Sequence, residues 1–182
     1  MKLGNRIMVM GPSGSGKSTM AMRLGEITGV PVVHIDRFIW NPGWIATPEK
    51  EVCEKVLKAA DEPKWIMDGN NSKTRDYRLE RADTVIFLDF NRFFCLFRNL
   101  KRFKENYGQT RHDLGEACPE RLNLAHLKFI LWTFPRARNG ILAWLSKIEP
   151  PKQVFYLKGT KAVMEFLTEV CKSSSTQTCE IK

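Results

Sequence analysis

The chain has 182 residues, 43% of them hydrophobic and 27% charged, and carries a formal net charge of +9. That length suits one domain with a substantial core, and the composition excludes a disordered or fibrous protein. No apolar run approaches a membrane span, and the five cysteines (Cys53, Cys95, Cys118, Cys171, Cys179), odd in number and without a C-x-x-C pair, argue against a zinc site and for reduced thiols in a cytosol.

The first residues lead straight into Ile7-Met8-Val9-Met10, an apolar run that reads as a buried strand and argues against a signal peptide. Directly after it, GPSGSGKS at 11–18 matches G-x-x-x-x-G-K-[ST] at every fixed position, between a strand and a helical pattern as that motif requires. Gly11, Gly14 and Gly16 let bare backbone approach a phosphate chain, while Pro12, Ser13, Ser15 and Thr19 complete the loop and its exit into a helix N-terminus. Lys17 brings a full positive charge to the terminal phosphates, and the Ser18 hydroxyl is placed to ligate Mg²⁺. Met20, Leu24 and Ile27 keep helical spacing and Gly29 supplies a left-handed stop, predicting a helix over 17–28. A second apolar run at 32–35 reads as a strand, with His34 packed in it rather than acting as a base. Asp36 follows at its carboxyl end, where parallel strands face a ligand.

FIWNPGWIA at 38–46 places Pro42-Gly43 between Trp40 and Trp44, a turn that serves either as a flap over an acceptor pocket or as cover for the core. Thr47, Pro48 and Glu49 read as N-cap, first position and first-turn acid of a helix with Val52, Val56, Leu57 and Ala60 on its apolar stripe. Trp65-Ile66-Met67 is the third strand and ends in Asp68-Gly69-Asn70. A polar connection leads to TVIFLD at 84–89, the clearest strand in the chain. Asn91 is placed to cap a helix with Phe93, Phe94, Leu96, Phe97, Leu100 and Phe103 on its apolar side. Arg98 and Arg102, one turn apart on another face, either grip one anion together or form solvated surface. Between Asn91 and Gly140 ten Lys and Arg stand against four acids, so an anionic partner is expected here: a triphosphate, a phosphorylated acceptor or nucleic acid.

From 104 to about 120 the periodicity fails and the stretch reads as a mobile cover. Helical patterning returns over 121–134, stops at Pro135 and resumes to 145. A fifth strand at 154–157, a turn at Lys158-Gly159-Thr160 and a last helix marked by Val163, Met164, Phe166, Leu167 and Val170 complete the pattern, with a flexible tail at 173–182. Five short strands alternating with helices predict an α/β, three-layer P-loop NTPase fold: a five-stranded parallel sheet, helices on both faces and a short lid. Right-handed crossovers gather the P-loop, Asp36, Asp68 and the 158–160 turn on one edge, the expected active site.

The chain resembles the adenylate-kinase-like branch of P-loop kinases, which includes shikimate and nucleotide kinases, and within it the bacterial DNA topology modulation proteins. The likeness is carried by GPSGSGKST, HIDRFIW, the WNPGW turn, WIMDGN, ADTVIFLD, the Arg98/Arg102 helix and RHDLGEACPER, together nearly the whole chain. The resemblance implies a single P-loop kinase-like domain over 1–172, with an acceptor-binding insertion at about 37–63 and a lid at about 104–120. It implies that Arg98, Arg102 and Arg111 surround phosphates, joined by Arg136 or Arg138, and that Lys158, Gly159 and Thr160 hold adenine. Adenylate kinases carry Asp-Gly-Phe-Pro-Arg after the third strand; Asp68-Gly69-Asn70-Asn71-Ser72 lacks that arginine, for which Arg75 or Arg37 are the available substitutes, and so the acceptor stays open.

The expected activity is Mg-ATP-dependent phosphoryl transfer to a small hydroxyl- or phosphate-bearing acceptor, a nucleoside or nucleotide among the candidates, with Lys17, Arg98, Arg102 and Arg138 neutralising charge. Asp36 accepts a proton or holds a metal-bound water, and Asp68 holds such a water; Ser18, Asp36 and Asp68 are the metal candidates. Asp36, Arg37, Trp44, Asp68, Asn70 and Arg111 are the acceptor candidates. Two other classes remain open: a DNA-binding regulator, although no helix-turn-helix, zinc-finger or RRM signature is present, and a nucleotide-gated switch without an acceptor.

Overall fold

In the computed structural model, which describes residues 1, 3–109, 118–119 and 123–173, the apolar runs form a five-stranded parallel sheet. Its strands are β1 (Arg6–Met10), β2 (Val32–His34), β5 (Trp65–Asp68), β6 (Thr84–Asp89) and β7 (Gln153–Lys158), in the order β2-β5-β1-β6-β7. β1 lies at the centre, with Val9 opposite Asp68 on one side and Ile86 on the other. The alternation of the pleat sends Ile7 and Val9 to one face and Met8 and Met10 to the other. The first pair packs with Met20 and Leu24 of α1 (Lys17–Thr28) and with Phe166 and Val170 of α8 (Gly159–Ser173). The second packs with Val52 and Val56 of α3 (Glu49–Ala60) and with Phe134 and Leu145 of α7 (Phe134–Leu145). Helices thus cover both faces, and β5, β1 and β6 are buried on both, which is why they read as unbroken apolar runs.

Among the described residues no helix is long and apolar enough to cross a membrane. Cys53, Cys95 and Cys118 are free thiols.

Several local expectations change. Ile35 has already left the second strand with helical angles, and Asp36 opens a one-turn helix, α2 (Asp36–Ile39). The tryptophan turn is a two-stranded hairpin of β3 (Trp40–Asn41) and β4 (Ile45–Ala46), whose tip places Gly43 and Trp44 at φ 78° and 64°. Thr47 does not cap α3: Pro48 holds that position without a side-chain bond, and Thr47 Oγ1 accepts instead from Asn41 Nδ2 at 3.0 Å. The polar connection at 71–82 contains a helix, α4 (Arg75–Arg81), missed because its inward residue is an arginine, Arg78. Pro135 does not interrupt the chain. After α6 (Leu124–Lys128) a π-helical turn, Phe129–Thr133, runs into α7 with Pro135 at its start, where a missing N–H is cheapest.

The largest correction concerns α5 (Arg92–Asn106), which also extends helix into the stretch expected to be cover. Asn91 caps it as expected, accepting from the Phe93 N–H at 2.8 Å. Its phenylalanine side, however, points outward, with Phe93 60%, Phe97 64% and Leu100 41% exposed. Cys95 and Asn99 face inward instead. The reason is steric: α5 rests on Gly14, where a Cβ would lie 2.5 Å from the Cys95 carbonyl oxygen, and no aromatic side chain fits such a contact. Residues 110–117 and 120 of the expected lid, including Arg111, lie outside the described residues, as do 121–122, and 174–182 of the expected tail, whose first residue, Ser173, is still in α8.

The two arrangements of α5 predict different stabilities. Phe97→Ser should change the unfolding free energy by less than about 0.5 kcal/mol, as for other exposed positions. Leu24→Ala, at a buried site, should cost about 2–5 kcal/mol. Urea denaturation of both variants checks this; a large loss at Phe97 would mean that its side faces the core.

Candidate active site

The loop after β1 is open backbone. Gly11, Gly14 and Gly16 all have positive φ (148°, 83° and 94°), and a Cβ on Gly11 would meet the Leu88 carbonyl oxygen at 2.6 Å. Gly16 occupies the N-cap of α1 without a side-chain bond, so the first amides of that helix face the loop unclaimed by a cap. Lys17 crosses the loop and its Nζ donates to the Pro12 carbonyl at 3.0 Å. Dense surroundings desolvate the ammonium and lower its pKa, an effect that Asp36 and then Asp68 oppose.

Asp68, at the end of β5, is buried, and its Oδ1 pairs with His34 Nδ1 at 2.7 Å. The next residues hold the loop. Asn70 Oδ1 accepts from the Gly11 N–H at 3.0 Å, and Asn70 Nδ2 donates to the Gly11 carbonyl at 2.6 Å. Behind them Arg78, fully buried, donates to the carbonyls of Gly69 at 3.1 Å and Asn71 at 2.8 Å. Burial, with the nearby charge of Arg75, lowers its pKa to about 10.

On the other side stands α5. Arg98 Nη1 reaches the Ser15 carbonyl at 3.4 Å and Arg102 Nη2 donates to Asn99 Oδ1 at 2.7 Å. A cleft of about 620 Å³ lies between these parts, with Lys17, Ser18, Asp36, Asp68, Arg98 and Arg102 in its walls. Two acids and three cations expected on separate grounds therefore share one cavity with the glycine loop. Asn70 spends its amide on Gly11, and Arg37 is exposed on α2. Trp44 donates through Nε1 to the Pro119 carbonyl at 2.9 Å and meets Trp40 edge-on, tying the hairpin to the far end of the expected lid.

A second cleft, of about 560 Å³, opens on the opposite side of Pro12, with Phe90, Phe94, Lys158, Gly159 and Thr160 in its wall. Arg138 lines this cleft rather than the first. Its Nε and Nη2 form a forked pair with Asp89 at 2.7 and 2.6 Å, and Tyr156 also donates to Asp89 through a short bond. Arg136 is exposed. The Arg138 hydrogen bond holds the Asp89 carboxyl below its ordinary pKa.

Sequence reasoning missed four residues here. Asp89 was legible only as a strand end, and Arg78 had no pattern to mark it. Tyr156 was hidden in an apolar run. The fourth, His126 of α6, places Nε2 2.8 Å from Ser13 Oγ on the loop itself; helical patterning over 121–134 announced its helix, but nothing marked the histidine.

No family model matches the chain. Among solved structures, it is similar to a sugar kinase from Janibacter sp. HTCC2649 at 18% identity and a TM-score of 0.51, over 96% of this chain and 100% of that one. It is also similar to a gluconokinase from Sinorhizobium meliloti 1021 at 17% identity and a TM-score of 0.56, over 96% and 95%. At these identities the likeness is one of fold, the α/β fold with a five-stranded parallel sheet and helices around it.

Two measurements test this geometry. Asn70→Ala leaves the Gly11 groups without their partners and should lower stability by about 1–3 kcal/mol, read by urea denaturation. The Asp89 carboxyl binds its proton more weakly folded than unfolded, so its contribution is complete above the unfolded pKa of about 3.9 and fades as pH falls through the lower folded value. Wild type should therefore exceed Asp89→Asn in stability at pH 7, with the gap closing below about pH 4; a gap that does not close on acidification refutes the pairing.

Proposed function

We propose that the protein is a Mg-ATP-dependent phosphotransferase for a small acceptor. The observation that carries this is the convergence of Lys17, Asp36, Asp68, Arg98 and Arg102 on one cleft beside a loop whose glycines leave no room for side chains. The residues fit the nucleotide: a cradle that a Cβ would fill, a lysine across it, and helix amides at its exit suit a polyphosphate. They also fit Mg²⁺. Among the described residues no three His, Cys, Asp or Glu side chains group as a metal cage, and Mg²⁺ is ordinarily held by few protein oxygens and by water. Ser18 would hold it, with Asp36 and Asp68 on its waters.

Bound there, Mg-ATP supplies the phosphoryl group and the metal's charge. The protein's part is alignment and neutralisation. Lys17 and Arg98 flank the loop and offset charge on the transferring group, with Arg102 beside them. Asp36, more exposed than Asp68, is the better placed to take a proton from an acceptor hydroxyl; Asp68, held by His34, is the better metal-water ligand. The second cleft, with Lys158, Gly159 and Thr160, takes the base, and Arg138 braces its wall through Asp89.

Acceptor chemistry is drawn from two directions. The structural neighbours act on sugars and gluconate by their names, and the resemblance to nucleotide kinases and topology modulation proteins favours a nucleoside or nucleotide. The free thiols of Cys53, Cys95 and Cys118 support a cytosolic setting.

Release of ADP from Mg-ATP, screened with sugars, sugar acids, nucleosides and nucleotides, should rise with one acceptor class. Lys17→Ala should reduce that turnover by at least about 100-fold while leaving the circular dichroism spectrum unchanged. Turnover that persists in the variant refutes the proposal. Binding to duplex DNA that weakens steeply with salt, without ADP release, would support the regulatory class instead.

A further inference from the structure

His126 lies outside the machinery assigned so far, yet it touches the phosphate loop. Its Nε2 is 2.8 Å from Ser13 Oγ, and α6 holds it there: Asn123 Oδ1 accepts the His126 backbone N–H at 3.1 Å, and the imidazole stacks on Phe129 at 6.4 Å between centroids with planes 17° apart. The position of Ser13 gives this contact its meaning. Pro12 lines the second cleft and Ser13 the first, so the two residues form the crest between the two cavities. The Pro12 carbonyl is also where Lys17 Nζ sits, at 3.0 Å. His126 therefore meets the loop at its lysine end, where terminal phosphates belong.

Resting on the phosphotransferase reading above, we propose that His126 is a positioning residue for the terminal phosphoryl group, acting through the Ser13 hydroxyl. A serine hydroxyl has one proton to give and two lone pairs to receive. When it accepts from His126 Nε2–H, its own proton is free to turn to a phosphate oxygen in the nest. The imidazole thereby orients a side-chain donor beside the backbone amides of the loop. A diphosphate, lacking the terminal group, gains little from such a donor.

The test compares two nucleotides on the full chain by calorimetry, Mg-AMP-PNP and Mg-ADP. His126→Ala should raise the Kd for Mg-AMP-PNP by about 10-fold, the worth of one good hydrogen bond, with the Kd for Mg-ADP changed less than about 2-fold. Ser13→Ala should do the same, and the double variant should be no worse than either single one, because both remove one path. His126→Gln, which keeps an N–H of similar reach, should recover part of the loss. A purely structural role would weaken both nucleotides alike. Equal losses, no loss, or full additivity in variants that melt like wild type overturn the inference and leave the phosphotransferase reading intact. Wild type that binds neither nucleotide overturns both.

Discussion

The pairing of one asparagine side chain with both polar groups of Gly11 is the interaction on which the site depends. A bare glycine loop, such as one proposed to receive phosphate, has few side chains of its own to hold it beyond Lys17 on the Pro12 carbonyl. Its conformation has to be imposed from outside. Here three elements do so: Asn70 from the end of β5, Cys95 and Asn99 of α5 pressed on Gly14, and His126 against Ser13. Each comes from a different part of the chain, and all meet at the centre of the sheet because β1 lies between β5 and β6.

This arrangement leaves polar and charged groups in costly places. Arg78 is buried with carbonyl partners and no ion pair in the described structure, its Nε unbonded. A buried charge of this kind is a poor source of stability. What it secures is the shape of the turn between Asp68 and Asn71, and through it the position of Asn70. Lys17 is desolvated in the same way, and the two acids across the cleft temper the cost. Sites whose charges must act on a ligand commonly carry such local disfavour, balanced by the well-packed layers on both faces of the sheet.

Much of this was legible in the amino acids. The glycine loop declares itself because the motif fixes residue types at short, constant spacing, and buried parallel strands declare themselves as apolar runs. Asp68 was expected at a strand end and Asp36 just beyond one, and both line the same cleft, although Asp36 opens a short helix. The residues that hold those parts were not legible, since their roles are contacts across long sequence separations. An arginine in a polar segment reads as surface, and Arg78 is core. A phenylalanine stripe reads as core, and Phe93 and Phe97 are surface, because the helix turns its small residues toward a glycine loop. In both cases tertiary fit overrode the hydrophobic pattern. Pro135 read as a break because the rule concerns regular helix, and the chain meets it with a wider turn.

That wider turn has an angular consequence. One surplus residue in a helical ladder rotates everything beyond it by roughly 100°, the step of a 3.6-residue turn. His126 precedes the surplus and Arg138 follows it, and they address different partners: Ser13 on the loop and Asp89 at the edge of β6. Without that offset a straight rod could not dial both side chains onto their targets, so the irregular stretch works as a phase adjuster, and shortening it by a residue would send Arg138 to the wrong azimuth.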